Sequence, residues 1–482
     1  MRRPSPDPEP QCGRSGAGEV GGLATVVGTD SAATRLAGAV GAMPQRRAGW
    51  VGCWIVRAVA TVDSVEGEPG GWAVALPGGC GGLARLAPGS PSRPHPAAAG
   101  AGLVLGQAVA VGLVGRIHNA APLRQVVAER GALLRGDDDA ELLLHLMAQS
   151  SQRTVVNRLV DALGNLRGGF SFTLVTAGMC LAGRDPRGFR PLWIGTGEGL
   201  SAAASDPGAL DAMGVQPLRE VGAGELAILE PGSPTWTLRP WGTQHPAACV
   251  QEWVGLAPVG STFEGLGVHA LRQRLGLALA ATCPVTADLV ACLPGACPVA
   301  AMAFAAHLGL PMGVVFVPDD ALAARWVALP GAVRGRRVAL VHEPGVPAAR
   351  MRAAVASLRS AGARQVHLRC VAPWLTAECR YGVRLPAPWP SAVGAVPGDT
   401  IAGYFDAESA AALSHAELAA ALGRDGSHHC AACGGGAEPL PQDEASATYQ
   451  LPLFASVSNG PNGRQAGMLD SPHTPGSRNQ HG

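Results

Sequence analysis

The carboxy-terminal half of the chain alternates short apolar runs with helical patterns, and this alternation constrains the fold more than any other feature. The clearest unit runs from a strand at Arg337–His342 through a helix at Ala348–Ser360 to a strand at Gln365–Val371. The same pattern predicts further strands and helices, at Asp288–Leu293, Val299–His307, Met312–Val317 and Ser409–Leu422, in the order strand, helix, strand and helix. Strands joined through a crossover helix are parallel neighbours. The sequence therefore predicts an α/β unit with a parallel sheet.

The amino-terminal half has a different pattern. Apolar spacing typical of helices comes first, at Leu123–Arg130 and Asp139–Gln149. The second of these helices begins with acids, which favour a helix N-terminus. It is followed by β-type runs at Ser171–Thr176, Met179–Gly183 and Glu225–Glu230. Groups of strands with helices between them are typical of an α+β or layered arrangement. Before about residue 100, short Val/Ala runs and many glycines predict no clear element.

The composition of the chain excludes several classes of function. The chain has 482 residues, which at about 150 residues per domain suggests two to three domains. Its 37 basic residues face 36 acids, so no basic excess is available to neutralise the phosphates of a nucleic acid. All of these cations are arginine, because the sequence contains no lysine. Schiff-base chemistry, a lysine general base and a P-loop lysine are therefore excluded.

The apolar runs and the start of the chain predict a cytoplasmic protein that binds no membrane. The first residues are charged and proline-rich, without the apolar region of a signal peptide. The longest clean apolar run, between Ala101 and Gly115, is interrupted by Gln107 and is too short to span a bilayer. Twelve cysteines in a chain of this length do not suggest a disulfide scaffold, so we expect reduced thiols.

Four short motifs are more specific than these patterns. They are the string RDPRGFRPL at 184–192 with the following ASD at 204–206, NAAPLR at 119–124, DAE at 139–141 and VGAGE at 221–225. Together they resemble segments of amidophosphoribosyltransferase, and the resemblance extends from about Gly115 to Cys433. That family opens de novo purine synthesis: ammonia released from glutamine attacks phosphoribosyl pyrophosphate (PRPP) to give 5-phosphoribosylamine.

The resemblance implies a two-part architecture. Residues 12–245 would form an α+β class II glutamine amidotransferase domain, layered αββα as in N-terminal-nucleophile hydrolases. Residues 246–436 would form an α/β phosphoribosyltransferase-like domain with a parallel sheet. Residues 1–11 would be a leader, and the polar residues 437–482 predict a disordered tail. The resemblance leaves open whether the chain assembles into a homo-oligomer.

The glutaminase positions depart from the family pattern. The resemblance implies Cys12 as the nucleophile, exposed by removal of the leader, although an ordinary surface cysteine is an equal alternative. Val114-Gly115 stands where the family has the Asn-Gly pair of its oxyanion hole, so Gly115 is kept and the amide donor is lost. Losing one such donor costs on the order of 100- to 1000-fold in rate. Asp139 matches the acid that binds the glutamine amino group, but it is equally explained as a helix N-terminal acid.

The phosphoribosyl positions depart further. Where the family has two acids and a loop that cradles the 5-phosphate, this chain has Glu343 as the one acid, and Pro344 and Pro347 remove two N–H donors. The pyrophosphate loop of the family corresponds to residues 294–297, and its flexible closing segment is shortened to Asp319–Arg325. Mg²⁺ is expected only if PRPP binds.

One set of family positions is complete. Cys249, Cys379, Cys430 and Cys433 stand where part of the family carries the four ligands of a [4Fe–4S] cluster, and four thiolates are the usual ligation of such a cluster. Two alternatives stay open. The Cys430/Cys433 pair with the neighbouring His428 and His429 would suit half of a zinc site, and isolated buried cysteines often serve as small apolar residues.

Three hypotheses follow from this pattern. The first is a diverged homologue that keeps the fold and the cluster, has eroded PRPP and glutamine sites, and acts as a non-catalytic partner or regulator. The second is an active amidophosphoribosyltransferase that takes glutamine and PRPP. The third is a new enzyme that binds a different anion at the carboxyl edge of the parallel sheet. Loss of the phosphate loop favours the first hypothesis.

Overall fold

The computed structural model describes residues 22–28, 32–42, 50–56, 62–67, 81–87, 100–242, 244–294, 297–318, 326–383, 385–386, 398–424, 426–436 and 438–440. Several predictions lie outside these ranges: the leader at 1–11, the proposed nucleophile Cys12, the segment Asp319–Arg325, and all of the 437–482 tail except 438–440. Among the described helices, none combines the length and the apolar character needed to cross a membrane.

Within its described residues, the amino-terminal half contains two antiparallel sheets and five helices. The strands are β1 (Gly22–Val27), β2 (Trp50–Val56), β3 (Val62–Gly67), β4 (Gly81–Ala87), β5 (Gly100–Val104), β6 (Gln107–Ile117), β7 (Gly168–Val175), β8 (Cys180–Arg184), β9 (Trp193–Gly197), β10 (Leu200–Ala204), β11 (Gln216–Glu220), β12 (Leu226–Leu229) and β13 (Trp236–Leu238). The helices are α1 (Ala32–Ala42), α2 (Ala120–Glu129), α3 (Asp139–Gln149), α4 (Val155–Gly164) and α5 (Pro207–Ala212).

These elements form four layers. One sheet has the order β11-β9-β10-β1-β4-β2-β3 and the other β13-β12-β8-β7-β6-β5. Apolar residues of α1 and α5 cover the outer face of the first sheet. Those of α2, α3 and α4 cover the second. The inner faces of the two sheets pack on each other, and the hydroxyls of Thr25 and Thr173 meet across them at 2.6 Å. The half is therefore layered αββα, as predicted.

The carboxy-terminal half contains the remaining strands and helices. The strands are β14 (Ala248–Cys249), β15 (Thr262–Phe263), β16 (Leu266–Gly267), β17 (Leu289–Cys292), β18 (Phe316–Pro318), β19 (Trp326–Ala328), β20 (Arg337–His342), β21 (Gln365–Cys370), β22 (Ser409–Ala412) and β23 (His429–Cys430). The α-helices are α6 (Val268–Thr282), α7 (Pro298–Leu308), α8 (Pro330–Val333), α9 (Ala348–Ser360), α10 (Gly398–Phe405) and α11 (His415–Leu422). The described residues of this half also include one π-helix (Glu252–Leu256) and two 3-10 turns (Gly426–His428 and Ala432–Gly434).

A parallel sheet lies at the centre of this half. Its strands have the order β17-β20-β21-β22, and every neighbouring pair is parallel. Apolar residues of α6, α7 and α11 cover one face, and those of α9 and α10 cover the other. The prediction of an α/β unit with a parallel sheet is therefore confirmed. The domain boundary at residues 245 and 246 falls between β13 and β14 and stays a prediction.

Two predicted elements were wrong. The predicted helix Ser409–Leu422 is divided into β22 and α11, because its first residues pair with β21 and Ser414 then begins a new helix with a capping box to Glu417. The predicted strand Met312–Val317 is reduced to a single bridge between Met312 and Val290, with Pro311 and Gly313 on either side. Phe316–Pro318 pairs instead with β19.

Candidate functional site

The four cysteines singled out in the sequence line one cavity. Cys249 ends β14, which pairs in parallel with β23 so that Cys249 stands opposite Cys430. Cys433 follows in the 3-10 turn, and Cys379 comes from the loop after β21. The other lining residues are Phe189, Arg190, Ala377, Glu378, Arg380, Tyr381, Val383, Ala432 and Glu438. Three segments far apart in the chain thus bring their thiols to one place.

The thiols are free and largely buried. None of the four is disulfide-bonded, and Cys249, Cys430 and Cys433 are each 6% exposed. Burial raises the pKa of all four, to about 12 for Cys433, and the neighbouring cysteines raise that of Cys249 further. Without a cation these groups are neutral thiols, whereas a bound metal reverses the balance and deprotonates its ligands.

Two N–H groups donate hydrogen bonds to sulfur atoms of these thiols. The backbone N–H of Tyr381 donates to Cys379 Sγ at 3.4 Å, and the buried Gln251 Nε2 donates to Cys433 Sγ at 3.7 Å. Hydrogen bonds of this kind stabilise negative charge on sulfur and are one of the means by which a protein tunes an iron–sulfur cluster. Free, buried thiols with N–H donors therefore fit the ligands of a cluster.

The arrangement differs from that of a single-ion site. Within the described residues, no three His, Cys, Asp or Glu side chains are grouped as ligands of one metal ion. The cavity wall includes the four cysteines but, in the part of the chain that the structure describes, neither His428 nor His429. The two histidines of the zinc alternative thus take no part in this lining, and both the cluster and the zinc site stay predictions.

A buried ion pair stands beside the thiols. Arg190, between β8 and β9, lines the cavity and is 3% exposed, and its Nη1 lies 2.5 Å from Glu252 Oε1. Glu252 begins the π-helix, a geometry that often marks functional sites. A second pair of contacts joins Arg184 to Glu220 at 3.1 Å and to Glu264 at 2.7 Å. Each arginine thus meets one acid from the other half of the chain, Arg190 meeting Glu252 and Arg184 meeting Glu264.

Aromatic rings connect the cavity to β6. Tyr381 stacks on Phe189 with ring centroids 4.1 Å apart and on His118 with centroids 4.7 Å apart. His118 Nε2 contacts the carbonyl of Arg380 at 2.9 Å, and burial lowers the pKa of its ring. The Tyr381 hydroxyl bonds to Glu438. The loop that carries Cys379 is thereby packed against the end of β6, where the resemblance places the oxyanion hole.

The predicted glutamine-binding positions lie in this same region. Gly115 has a φ of +102°, and a Cβ there would collide with the carbonyl oxygen of Gly169. The neighbouring Val114 is 3% exposed. Asp139 accepts the backbone N–H of Ile117 at 2.7 Å and pairs with Arg124 at 2.9 Å, and burial raises its pKa. Both carboxylate oxygens of Asp139 therefore have partners within the protein.

At the carboxyl edge of the parallel sheet, the two residues that bear on PRPP binding already have partners within the protein. Glu343 follows β20 and is 7% exposed. The thiol of Cys297 donates to its carboxylate, and Arg272 opposes the rise in pKa that burial causes. Arg350 Nη2 donates to the carbonyl of Pro294 at 3.2 Å. That bond joins the two loops that the resemblance assigns to the 5-phosphate and the pyrophosphate.

Sequence reasoning missed several residues of the cysteine cavity. Arg190 and Phe189 belong to the RDPRGFRPL motif, and Gln251 and Glu252 lie two and three residues after the predicted ligand Cys249. Their positions in that motif and beside that cysteine were a usable signal. Once buried, Arg190 and Glu252 would each need a charged partner, because arginine and glutamate are rarely buried unless they are paired. The motifs alone did not indicate that they would meet at the thiols.

Comparisons with known proteins agree with this architecture. A family model described as a glutamine amidotransferase domain matches residues 103–212. Two solved structures share the fold. One is a glutamine PRPP amidotransferase from B. subtilis complexed with ADP and GMP, at a TM-score of 0.78 and 24% identity over 89% of this chain and 98% of that chain. The other is an allosteric regulatory enzyme of purine biosynthesis, at a TM-score of 0.80 and 23% identity over 88% and 97%.

Curated relatives carry one family name. Amidophosphoribosyltransferase 1, chloroplastic, of Arabidopsis thaliana is 31% identical over 348 residues, or 68% of this chain and 61% of the relative. The amidophosphoribosyltransferase of Rhizobium etli is 32% identical over 298 residues, or 58% of this chain and 60% of the relative. The chain thus spans about three fifths of the length of these relatives. On the fold, the motifs and these similarities, the chain belongs to the amidophosphoribosyltransferase family.

Proposed function

We propose that this chain is a diverged amidophosphoribosyltransferase homologue that holds a [4Fe–4S] cluster and has lost its PRPP and glutamine sites. It would act as a non-catalytic partner or regulator within purine biosynthesis. Cys249, Cys379, Cys430 and Cys433 would hold the cluster, which supplies a redox-active centre when bound. The protein's own residues exclude water from that centre, donate N–H groups to its sulfurs and join it to both halves of the chain.

The observation that supports the loss of PRPP binding is the burial of the Glu343 carboxylate against other residues of the protein. A carboxylate that binds ribose hydroxyls has to be accessible to them, but Glu343 is 7% exposed and is held by the Cys297 thiol beside Arg272. Arg350 is engaged beside it by its bond to the carbonyl of Pro294. The start of α9 offers fewer donors than a phosphate loop does, because Pro344 and Pro347 have no N–H.

The glutamine positions support the same proposal. A free carboxylate is needed to bind the ammonium group of an amino acid, but Asp139 is already paired with Arg124 and with the Ile117 N–H. Val114 has no side-chain donor for an oxyanion. Gly115 keeps the glycine of the family's oxyanion pair. The side-chain donor beside it is replaced by Val114, and the carboxylate of Asp139 is engaged by Arg124 and Ile117.

The test is calorimetry with PRPP and Mg²⁺ on the anaerobically purified full-length chain. We expect no heat of binding from a folded, iron-loaded protein. Micromolar binding would contradict the proposal and would return the active amidophosphoribosyltransferase as the better conclusion. A glutaminase assay on the same preparation tests the other half: ammonia release at a rate typical of an enzyme would equally contradict the loss of the glutamine site.

A genetic measurement separates the two functions in cells. An active enzyme complements a purine auxotroph that lacks amidophosphoribosyltransferase, whereas a non-catalytic homologue does not. Growth without added purine would overturn the proposal. Lack of growth, in cells where immunoblotting finds the protein in the supernatant and iron analysis finds it loaded, would support it.

A further inference from the structure

Arg190 places a buried positive charge in the wall of the cysteine cavity. It is 3% exposed and reaches the cavity from the amino-terminal half, whereas the thiols belong to the carboxy-terminal half. An arginine carries five N–H donors and stays charged in proteins. In the described part of the chain, Arg190 Nε is buried without a hydrogen-bond acceptor. One face of this guanidinium therefore lacks the anion or acceptor that burial normally requires.

Glu252 accounts for only part of that requirement. Its Oε1 lies 2.5 Å from Arg190 Nη1, and the residue is completely buried at the start of the π-helix. A single carboxylate can neutralise the charge of one arginine, but it cannot accept all five donors. Arg190 lines the same cavity as the four thiols. An anionic centre there would supply the missing partner.

We infer that Arg190 is the buried counter-charge of the four-thiolate centre and that Glu252 is the residue that holds it in position. The inference rests on the proposed cluster. Four thiolates leave a [4Fe–4S] centre with a net negative charge, which is costly in a buried site unless a cation stands beside it. Net charge and hydrogen bonds to sulfur are two of the factors that set the reduction potential of a cluster. Arg190 supplies the first factor and Gln251, by its bond to Cys433, the second.

This assignment predicts opposite shifts in two variants. In Glu252→Gln the positive charge of Arg190 is no longer balanced, so the reduced cluster is stabilised and the reduction potential rises. In the double variant R190Q/E252Q the cation that lines the cavity is removed together with an anion that does not line it, so the reduction potential is expected to fall below that of the wild type. Arg190→Lys keeps the charge and is expected to shift the potential less than the double variant does.

The matched control is Glu264→Gln. Glu264 pairs with Arg184 at 2.7 Å, so its neutralisation removes one of the two acids that face a second buried arginine, but neither Glu264 nor Arg184 lines the cysteine cavity. We expect E264Q to lower the melting temperature with little change in reduction potential. A potential that moves as much in E264Q as in E252Q would contradict a specific role for Arg190.

The experiment begins with iron and acid-labile sulfide per chain and continues with an anaerobic redox titration followed by electron paramagnetic resonance. Iron and sulfide in the wild type with opposite shifts in the two variants would support the inference. A loaded wild type whose potential is unchanged in both variants would overturn the inference and leave the proposed cluster intact. A folded wild type that takes up no iron under anaerobic reconstitution would contradict the proposed function itself. If R190Q/E252Q does not fold, the upward shift in E252Q alone decides.

Discussion

Gly382 lies against the main chain of Gly115. A Cβ built on Gly382 would stand 2.7 Å from the carbonyl carbon of Gly115, and Gly382 has a φ of +81°. The contact joins the loop that carries Cys379 to the end of β6, so a cysteine of the proposed cluster and the strand end where the resemblance places the oxyanion hole share one packed surface.

Substitution of Gly382 by alanine tests this contact. We expect Gly382→Ala to destabilise the protein by about 2–4 kcal/mol, because the new methyl group meets backbone atoms and the positive φ is strained for alanine. Chemical denaturation of the anaerobically purified protein measures the change. The control is Gly265→Ala, which has a similar φ of +74° but no heavy atom within 4 Å of the added carbon. Equal losses in the two variants would contradict a steric role for the Gly115 contact.

Replacement of a cavity cysteine should remove iron. In Cys430→Ser one of the four predicted ligands is lost, so we expect iron and sulfide per chain and the visible absorption to fall sharply. Cys283→Ser is the control, because Cys283 is a free, half-buried cysteine that contacts the carbonyl of Ala412 and does not line the cavity. Unchanged absorption in C430S would refute the ligand assignment.

Asp139 should behave as a structural acid. In Asp139→Asn the bond from Ile117 can be kept but the ion pair with Arg124 is lost and one amide hydrogen-bond donor faces a donor, so we expect a loss of about 1–3 kcal/mol in unfolding free energy. Asp138→Asn removes the same charge at the same end of α3, and asparagine caps helices as well as aspartate does. We expect D138N to stay within about 0.5 kcal/mol of the wild type. Wild-type stability in D139N together with a measurable affinity for glutamine in the unmutated protein would contradict the structural role.

Glu220 should make stability depend on pH. Burial raises its pKa from 4.5 to about 7, although Arg184 opposes the shift. Between these values the folded state keeps a proton that the unfolded state has released, so stability falls as the pH rises from about 4.5 to about 7. At about 1.4 kcal/mol per pKa unit this loss approaches about 3 kcal/mol. Urea denaturation across that range should show the loss in the wild type and a weaker pH dependence in Glu220→Gln.

Glu225 should change the pH dependence of stability in the opposite direction to Glu220. Partial burial alone would raise its pKa, but hydrogen bonds from Arg219 and Gly222 lower the pKa overall. Its contribution to stability is therefore lost only as the pH falls through the folded pKa, below the range in which Glu220 titrates. Glu225→Gln should keep the decline between about pH 4.5 and about pH 7. An unchanged decline in E220Q would show that another group, such as the buried Asp185 with its pKa raised to about 6, carries it.

Much of the architecture was readable from local patterns. The strand Arg337–His342 and the helices Ala348–Ser360 and Asp139–Gln149 have the bounds that the sequence predicted. Apolar periodicity and helix-start acids act within a few residues, so they are visible without knowledge of the fold. The division of Ser409–Leu422 into a strand and a helix was not readable from local patterns. Small apolar residues suit a helix and a strand equally, and pairing with β21 decided between the two.

For the cysteine cavity, too, some residues could be predicted from the sequence and others depended on the tertiary structure. Residue types and spacing, together with the family resemblance, identified Cys249, Cys379, Cys430 and Cys433. Only the tertiary structure brought Arg190 to their side, placed Gly382 on Gly115 and engaged Glu343 with Cys297. The physical reason is that charge compensation, close packing and the occupation of a crevice depend on atoms that are distant in the chain, and these arise only when the two halves and their loops have packed together.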